Sequence, residues 1–354
     1  MIELNELTPE YIREVDREGM WELLKQFPQH WVEGMAKSRD VELTIDPLKI
    51  SNICMCGMGS SAISADLLKA YVSDTLEIPM QLIHGYDIPA WVDDDTLFIA
   101  CSFSGNTEEI LMALEQARKR GAQIVAVTSG GQLLLKAADE GFDYYRIPGG
   151  MPARAALAYA FVPLYRLFQF LGFIDDSDAS LEETAEYLAE KVDLYADPED
   201  NEALALADEI RHSLPIIYSN GGLLEPVNHR WREQFEENAK TLAYGNFLPE
   251  MNHNEIIGWE QIAHLTGRLS VIILQDREDS ERMRARMAIT KELVKDQVVS
   301  INTLETEGNS RLTRMFSLVQ LADWTSLYLA LLIHTDPTPV TRIDLLKRRL
   351  AEWS

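Results

Sequence analysis

The chain has 354 residues, of which 46% are hydrophobic and 25% charged, and its formal net charge is −25. That length suggests about two domains of ordinary size, and no apolar run reaches the roughly 18 residues that a membrane span needs. The acidic balance argues against a nucleic-acid partner, which requires a basic face, but a few local cations and N–H groups can still hold an anion inside a pocket.

The N-terminal stretch MIELNELTPEYIREVDREGM is acidic and lacks the apolar core of a secretory signal. Residues 8–40 read as helical, with Trp21, Leu24, Phe27 and Trp31 at helical spacing. They form a preface expected to pack on the main body. Strands are expected at Ile50–Cys56, Leu82–His84, Thr96–Cys101, Gln123–Thr128 and Tyr144–Ile147. Helices are expected near Ala62–Val72, Thr107–Arg120, where Gly121 supplies the stop, and Leu133–Glu140. Cys54, Cys56 and Cys101 fall on these buried strands and read as small apolar residues of a reducing cytoplasm. Cys54 and Cys56 share a strand face, but two thiols without further nearby ligands do not make a zinc site. No metal and no cofactor is expected.

A long apolar helix covers Ala153–Leu171, and residues 172–203 read as an acidic connection between domains rather than as core. The same grammar then repeats. Strands are expected at Leu214–Ser219, Leu269–Leu274 and Val298–Asn302, and helices near Val227–Leu242, Ser280–Lys295, Leu312–His334 and Ile343–Trp353. Strands alternating with helices of this length imply α/β architecture, with parallel sheets covered on both faces. The expected organisation is a helical preface over 1–47, one α/β sandwich over 48–175 and a second over 204–354.

Two loops stand out. Gly57-Met58-Gly59-Ser60-Ser61 and Ser102-Phe103-Ser104-Gly105-Asn106-Thr107 each follow an apolar strand and open a helix. Such loops can wrap an oxyanion with hydroxyls, N–H groups and a helix N-terminus. One of them alone is ordinary helix capping, whereas two at the carboxyl ends of strands in one sheet point to a ligand. Neither fits the dinucleotide fingerprint, and no Gly-Lys-Ser/Thr nucleotide loop is present. A phosphorylated small molecule is therefore the expected substrate.

Three further segments carry chemistry. Pro148-Gly149-Gly150-Met151-Pro152-Ala153-Arg154 delivers an arginine, suited to a developing oxyanion, to the start of an apolar helix. Trp231–Lys240 carries Glu233, Glu236 and Glu237, among which periodicity does not choose. Pro249-Glu250-Met251-Asn252-His253-Asn254-Glu255 places a histidine between two asparagines, and a nearby carboxylate would complete an acid–base set near neutral pH.

Taken in order, Gly57–Ile63, Ser102–Glu109, Pro152–Leu157, Glu237-Asn238-Ala239-Lys240 and Pro249–Glu255 resemble the bifunctional phosphoglucose/phosphomannose isomerases, a branch of the sugar isomerase (SIS) superfamily. The Ser-x-Ser-Gly-x-Thr loop is shared across that superfamily. The Glu-Asn-Ala-Lys segment and the Asn-His-Asn loop are diagnostic of the branch. The resemblance implies two SIS-type three-layer sandwiches and interconversion of glucose 6-phosphate and mannose 6-phosphate with fructose 6-phosphate. It implies Gly59, Ser60, Ser61, Ser102, Ser104 and Thr107 as the sugar-phosphate cradle. It also implies Arg154 beside the enediolate, Glu237 as the base, His253 as the ring-opening residue lent by a second subunit of a homodimer, and Lys347 at the site. Ser60 departs from the Gly-Met-Gly-Gly-Ser of the family. A β-carbon there needs a compatible φ, and a retuned site rather than a dead one is expected. The competing readings are a non-catalytic SIS sensor of a sugar phosphate and an amino-sugar phosphate isomerase. The acidic preface speaks against a DNA-binding sensor, and the absence of an amidotransferase region and the Asn-His-Asn segment speak against the amino-sugar enzyme.

Overall fold

Apolar strands alternating with helices build two separate parallel sheets in the computed structural model, which describes residues 4–175 and 177–353. The preface is three helices rather than one: α1 (Pro9–Val15), α2 (Met20–Lys25) and α3 (Phe27–Arg39). The break has a local cause. The Asp16 carboxylate accepts the backbone N–H groups of Met20 at 2.8 Å and Trp21 at 2.7 Å, so it opens α2 in the way an N-cap does.

The first sheet is formed by β1 (Asn52–Gly57), β2 (Met80–Ile83), β3 (Thr96–Cys101), β4 (Gln123–Thr128) and β5 (Asp143–Arg146), in the order β2-β1-β3-β4-β5. Its helices are α4 (Ser60–Val72), α5 (Glu108–Lys119) and α6 (Gly131–Glu140). All six residues of β3 are buried, as expected of a central strand covered on both faces. The three cysteines lie buried in β1 and β3, where burial pushes the Cys54 and Cys56 thiols up to about 12.

Three helices follow: α7 (Leu157–Phe170), α8 (Ala179–Tyr195) and α9 (Glu202–Ile210). The second sheet comprises β6 (Leu214–Asn220), β7 (Tyr244–Leu248), β8 (Leu269–Gln275) and β9 (Ser300–Glu305), in the order β7-β6-β8-β9. With it come α10 (Glu225–Glu237), α11 (Glu255–Gly258), α12 (Glu281–Val294), α13 (Arg311–Leu332) and α14 (Thr341–Ala351). Every strand pairing in both sheets is parallel.

The structure differs from the sequence expectation in two respects that bear on function. The edge strand β7 lies in a segment, Tyr-Gly-Asn-Phe-Leu, without a strong strand signal. It forms because Ile216–Asn220 of β6 offer a free edge. Residues 172–203, expected as a connection rather than core, contain α8, which buries Leu181, Leu188, Val192 and Tyr195. Acidic positions on its outer face masked that stripe.

One apolar core runs through both halves, and Trp31 sits where they meet. Its fully buried ring stacks on Phe161 of α7 at 5.7 Å and meets Phe316 of α13 edge-on at 4.6 Å. Its indole N–H donates to Leu181 O at 3.0 Å. Preface, first half, connection and second half thus converge on one side chain. Replacing Trp31 by Ala is expected to cost about 3–5 kcal/mol of stability, read as a lowered urea midpoint with both halves unfolding together.

Candidate active site

In a doubly wound parallel sheet, ligands gather where the strand order reverses, outside the carboxyl ends of the strands. In the first sheet β1 is followed by β2 on one side and β3 on the other, so the reversal lies between β1 and β3. The two hydroxyl loops leave these two strands. They are joined directly: Ser61 Oγ accepts the Phe103 N–H at 3.1 Å. Ser102, almost fully buried, shares a hydrogen bond with Thr107 Oγ1 at 2.8 Å and accepts from Gly105 N–H at 3.1 Å. Ser104 is exposed at the rim, where its Oγ accepts Asn106 N–H at 3.3 Å. Thr107 is the N-cap of α5 and Gly59 that of α4, and neither position makes a side-chain capping bond. The Thr107 hydroxyl is thus not consumed by capping α5.

Backbone constraints hold the loops in this shape. Gly105 has φ 66, and a Cβ there would lie 1.8 Å from Gly130 O, so the Ser-Gly-Asn turn requires glycine. At the other loop, Gly59 takes the positive φ of 50 and Ser60 begins α4. The β-carbon of Ser60 therefore needs no left-handed backbone, and it is buried without displacing the turn.

Arg154 lies in a short 3₁₀ turn, Ala153–Ala156, just before α7. It is 3% exposed, and its guanidinium is bonded in every direction. Nε donates to Asn238 Oδ1 at 2.6 Å and Nη1 to Glu237 Oε2 at 3.1 Å. Nη2 donates to the carbonyls of Pro337 at 2.8 Å and Thr338 at 2.9 Å. Glu237, the last residue of α10, keeps 24% of its side chain exposed. α10 also packs on α4, the helix that the first hydroxyl loop opens, so the two halves meet along these helices.

The three glutamates of this helix are now distinguishable. Glu237 meets Arg154, whereas Glu236 is exposed. Glu233, one turn earlier, has Oε2 buried with no donor among the described residues. Burial pushes the Glu233 carboxyl up to about 7, a rise that Arg230 opposes and that Glu237 and Glu236 reinforce.

His253 and Lys347 are not brought to this cluster within one chain. β7 ends in a cis Leu248–Pro249 bond and runs into a 3₁₀ turn, Glu250–His253. The flanking asparagines build the turn: Asn252 Nδ2 donates to Thr290 Oγ1 at 3.0 Å, and Asn254 Oδ1 caps Glu255 N–H at 2.6 Å. His253 is left exposed, and among the described residues no hydrogen bond or ion pair links it to Arg154 or Glu237. Lys347 lies on α14, every described residue of which is exposed.

Sequence reasoning assigned no role to the layer beneath Arg154. Arg230 and Asp323 are both almost fully buried and form a bidentate pair at 2.9 Å in each arm. Gln234 Nε2 donates to the same carboxylate at 2.7 Å, and Arg230 Nη2 also donates to Arg154 O at 2.7 Å. Burial raises the Asp323 carboxyl, and the Arg230 and Gln234 donors pull it back toward the ionised form. A signal was present in the sequence: an aspartate in the middle of a long apolar helix must have a cationic partner.

This architecture is that of a two-sheet SIS protein. Residues 48–163 match the SIS domain, and residues 199–350 match the bacterial phospho-glucose isomerase C-terminal SIS domain. A bifunctional phosphoglucose/phosphomannose isomerase of Caldicellulosiruptor bescii is 42% identical over 336 residues, 94% of this chain and 99% of that protein. Its counterpart in Aquifex aeolicus is 34% identical, over 88% of this chain and 93% of that protein. Among solved structures, the C-terminal domain of glucosamine-fructose-6-phosphate aminotransferase from Francisella tularensis shares the fold. It superposes with a TM-score of 0.70 at 15% identity, covering 90% of this chain and 98% of that one. The chain belongs to the bifunctional phosphoglucose/phosphomannose isomerase family.

Glu233 gives a pH prediction. Its folded-state pKa lies above the unfolded value, so its contribution to stability is complete below about pH 4.5 and is lost as pH rises through about 7. Glu233→Gln removes that loss. Relative to wild type, the variant is expected to gain about 1–3 kcal/mol between pH 5 and pH 8, measured by urea unfolding at both values.

Proposed function

We propose that the chain interconverts glucose 6-phosphate and mannose 6-phosphate with fructose 6-phosphate through a cis-enediolate. The observation that carries this reading is the Arg154–Glu237 contact at 3.1 Å, a carboxylate paired with a cation, in a chain whose first sheet carries joined hydroxyl loops at its switch point. Ser61, Ser102, Ser104 and Thr107 bind the phosphate together with the N–H groups at the starts of α4 and α5, and Gly59 and Ser60 shape the first loop. Glu237 takes the C2 proton and returns it at C1. Arg154 holds the carboxylate in place and lends positive charge to the enediolate oxygen. The two aldoses share this intermediate, so a base that reaches C2 in either configuration serves both. The chemistry requires proton transfers only, and the roles assigned use the chain's own side chains.

His253 opens the sugar ring, and a second copy of the chain supplies it. Two features support a dimer with shared sites. His253 is exposed and separate from Glu237, and α14 exposes Ile343, Leu346 and Leu350 with no cover from its own chain. Docking of α14 against the second copy would bury that apolar stripe and fix Lys347 at the substrate. The cytoplasm is the proposed compartment, where sugar phosphates are held and the buried thiols stay reduced.

A coupled assay with glucose, mannose and glucosamine 6-phosphates separates the readings. Turnover of the first two is expected, and its absence would leave the sensor or the amino-sugar reading. Glu237→Gln should lower kcat by about 10²- to 10⁴-fold while sugar-phosphate binding persists. A tenfold loss would be too small for the base. In mixed dimers of Glu237→Gln with His253→Ala, one complete site forms per dimer if sites are shared. About half the wild-type activity should then return, and no recovery would place both residues in one chain's site.

A further inference from the structure

Lys240 closes the Glu237-Asn238-Ala239-Lys240 segment and has no part in the chemistry above. A helix commonly ends on a glycine in the left-handed region, which lets the last carbonyls find donors. Here the non-glycine residue Lys240 takes that region, with φ 56. Its Nζ folds back over the end of α10 and donates to Glu237 O at 2.6 Å and Asn238 O at 3.2 Å. A third bond, of 2.8 Å, crosses to Pro337 O. That carbonyl also accepts Arg154 Nη2 at 2.8 Å. Pro337 belongs to the segment that joins α13 to α14, so one carbonyl is gripped by Arg154 from the first half and by Lys240, three residues beyond α10.

We infer that Lys240 is a positioning residue that staples the last turn of α10, and with it Glu237, to the segment from which α14 springs. An ammonium has three donors and no acceptor, and all three meet carbonyls here. Its charge also lies at a helix C-terminus, where a cation is favoured. The staple links the two parts of the site that a single chain leaves apart, the Arg154–Glu237 cluster and the helix that bears Lys347. The inference rests on the reading of Glu237 as the base.

The staple is sensitive to pH. Partial burial of its ammonium and the facing Arg154 bring Lys240, an exposed residue overall, down to about 8, against the opposing pull of Asp336 in the connecting segment and of Glu237 at the end of α10. Below that pH all three bonds stand. Above it the amine has two donors for three carbonyls, so the staple weakens on the alkaline side.

Lys240→Met in the full-length protein tests the role. It is expected to lower kcat about 10- to 100-fold, the scale of a small misplacement of a reacting group, with KM for fructose 6-phosphate within about threefold. Hydrogen exchange over residues 336–351 is expected to quicken. Unchanged kcat or unchanged exchange in that segment would overturn the staple. Lys240→Arg keeps the charge at all working pH values. It should retain most of the turnover and move the alkaline limb of kcat from near 8 to above 9. A limb that stays in place would overturn the role of Lys240, even if the methionine variant fails to fold. A wild-type protein inactive on glucose and mannose 6-phosphates would instead sink the assignment of Glu237, and the exchange measurement would still decide the staple.

Discussion

The guanidinium of Arg154 is the joint on which the site depends. A buried guanidinium has five donors and no means of shedding its charge, so its surroundings must answer it, and here four of the five donors are met. The answer comes from far along the chain: a carboxylate and an amide at the end of α10, and two carbonyls between α13 and α14. Magnitude decides that this pair, and not the surface pairs, fixes the geometry. Exposed contacts such as Arg13–Glu10 contribute about 0–1 kcal/mol, whereas stripping one partner from a buried pair costs about 3–5 kcal/mol. The first half therefore holds Glu237 of the second half in position through an arginine that is itself almost fully buried.

That arrangement is affordable only because the charges below it balance. Arg230 and Asp323 make a second pair beneath the first, and Arg230 also bonds the backbone of Arg154. Two arginines and two carboxylates form a neutral set in the core. It also explains α13. Contrary to the sequence expectation, this helix is long and apolar enough to cross a membrane by composition, because its few polar residues interrupt the apolar run without lowering its mean hydropathy below that of a span; it is buried inside the protein, where it carries Asp323 to Arg230. Trp31 fills the apolar side of the same junction, so the preface is part of the core that keeps the two halves in register.

The sheets were legible because covered parallel strands are continuous apolar runs of limited length, and the loops because they sit between such runs and helices. β7 was not legible, since an edge strand has one neighbour and Tyr244-Gly245-Asn246 carries little strand preference. The stripe of α8 was hidden by its acidic outer face. For the glutamates, the period of a helix places Glu233 and Glu237 on one face and says nothing of what that face meets. The contact that separates them comes from Arg154, 83 residues away in sequence. The resemblance selected Glu237 where periodicity could not, but it did not reveal that Arg154 spends its donors on positioning as well as on charge. Ser60 proved simple: the positive φ falls on Gly59, so the residue after it is free to bear a side chain.

Two sheets of one plan offer two switch points, and the two are lined differently. In the second sheet the strand order reverses between β6 and β8, and the corresponding crevice is filled from within. Asp276, directly after β8, accepts from Arg314 Nε at 2.9 Å and Thr306 Oγ1 at 2.8 Å, while Glu278 takes the other arm of Arg314. Asp279 is bonded by Asn220 at the end of β6. Carboxylates thus occupy the place where the first sheet keeps hydroxyls and helix N-termini, and they would repel a dianion. Arg314 there is already neutralised by Asp276 and Glu278. The second half contributes α10 instead, whose last residue, Glu237, meets Arg154 of the first half. The net charge of −25 is compatible with an anionic substrate, because the attraction that holds an anion is local and need not follow the charge of the whole chain.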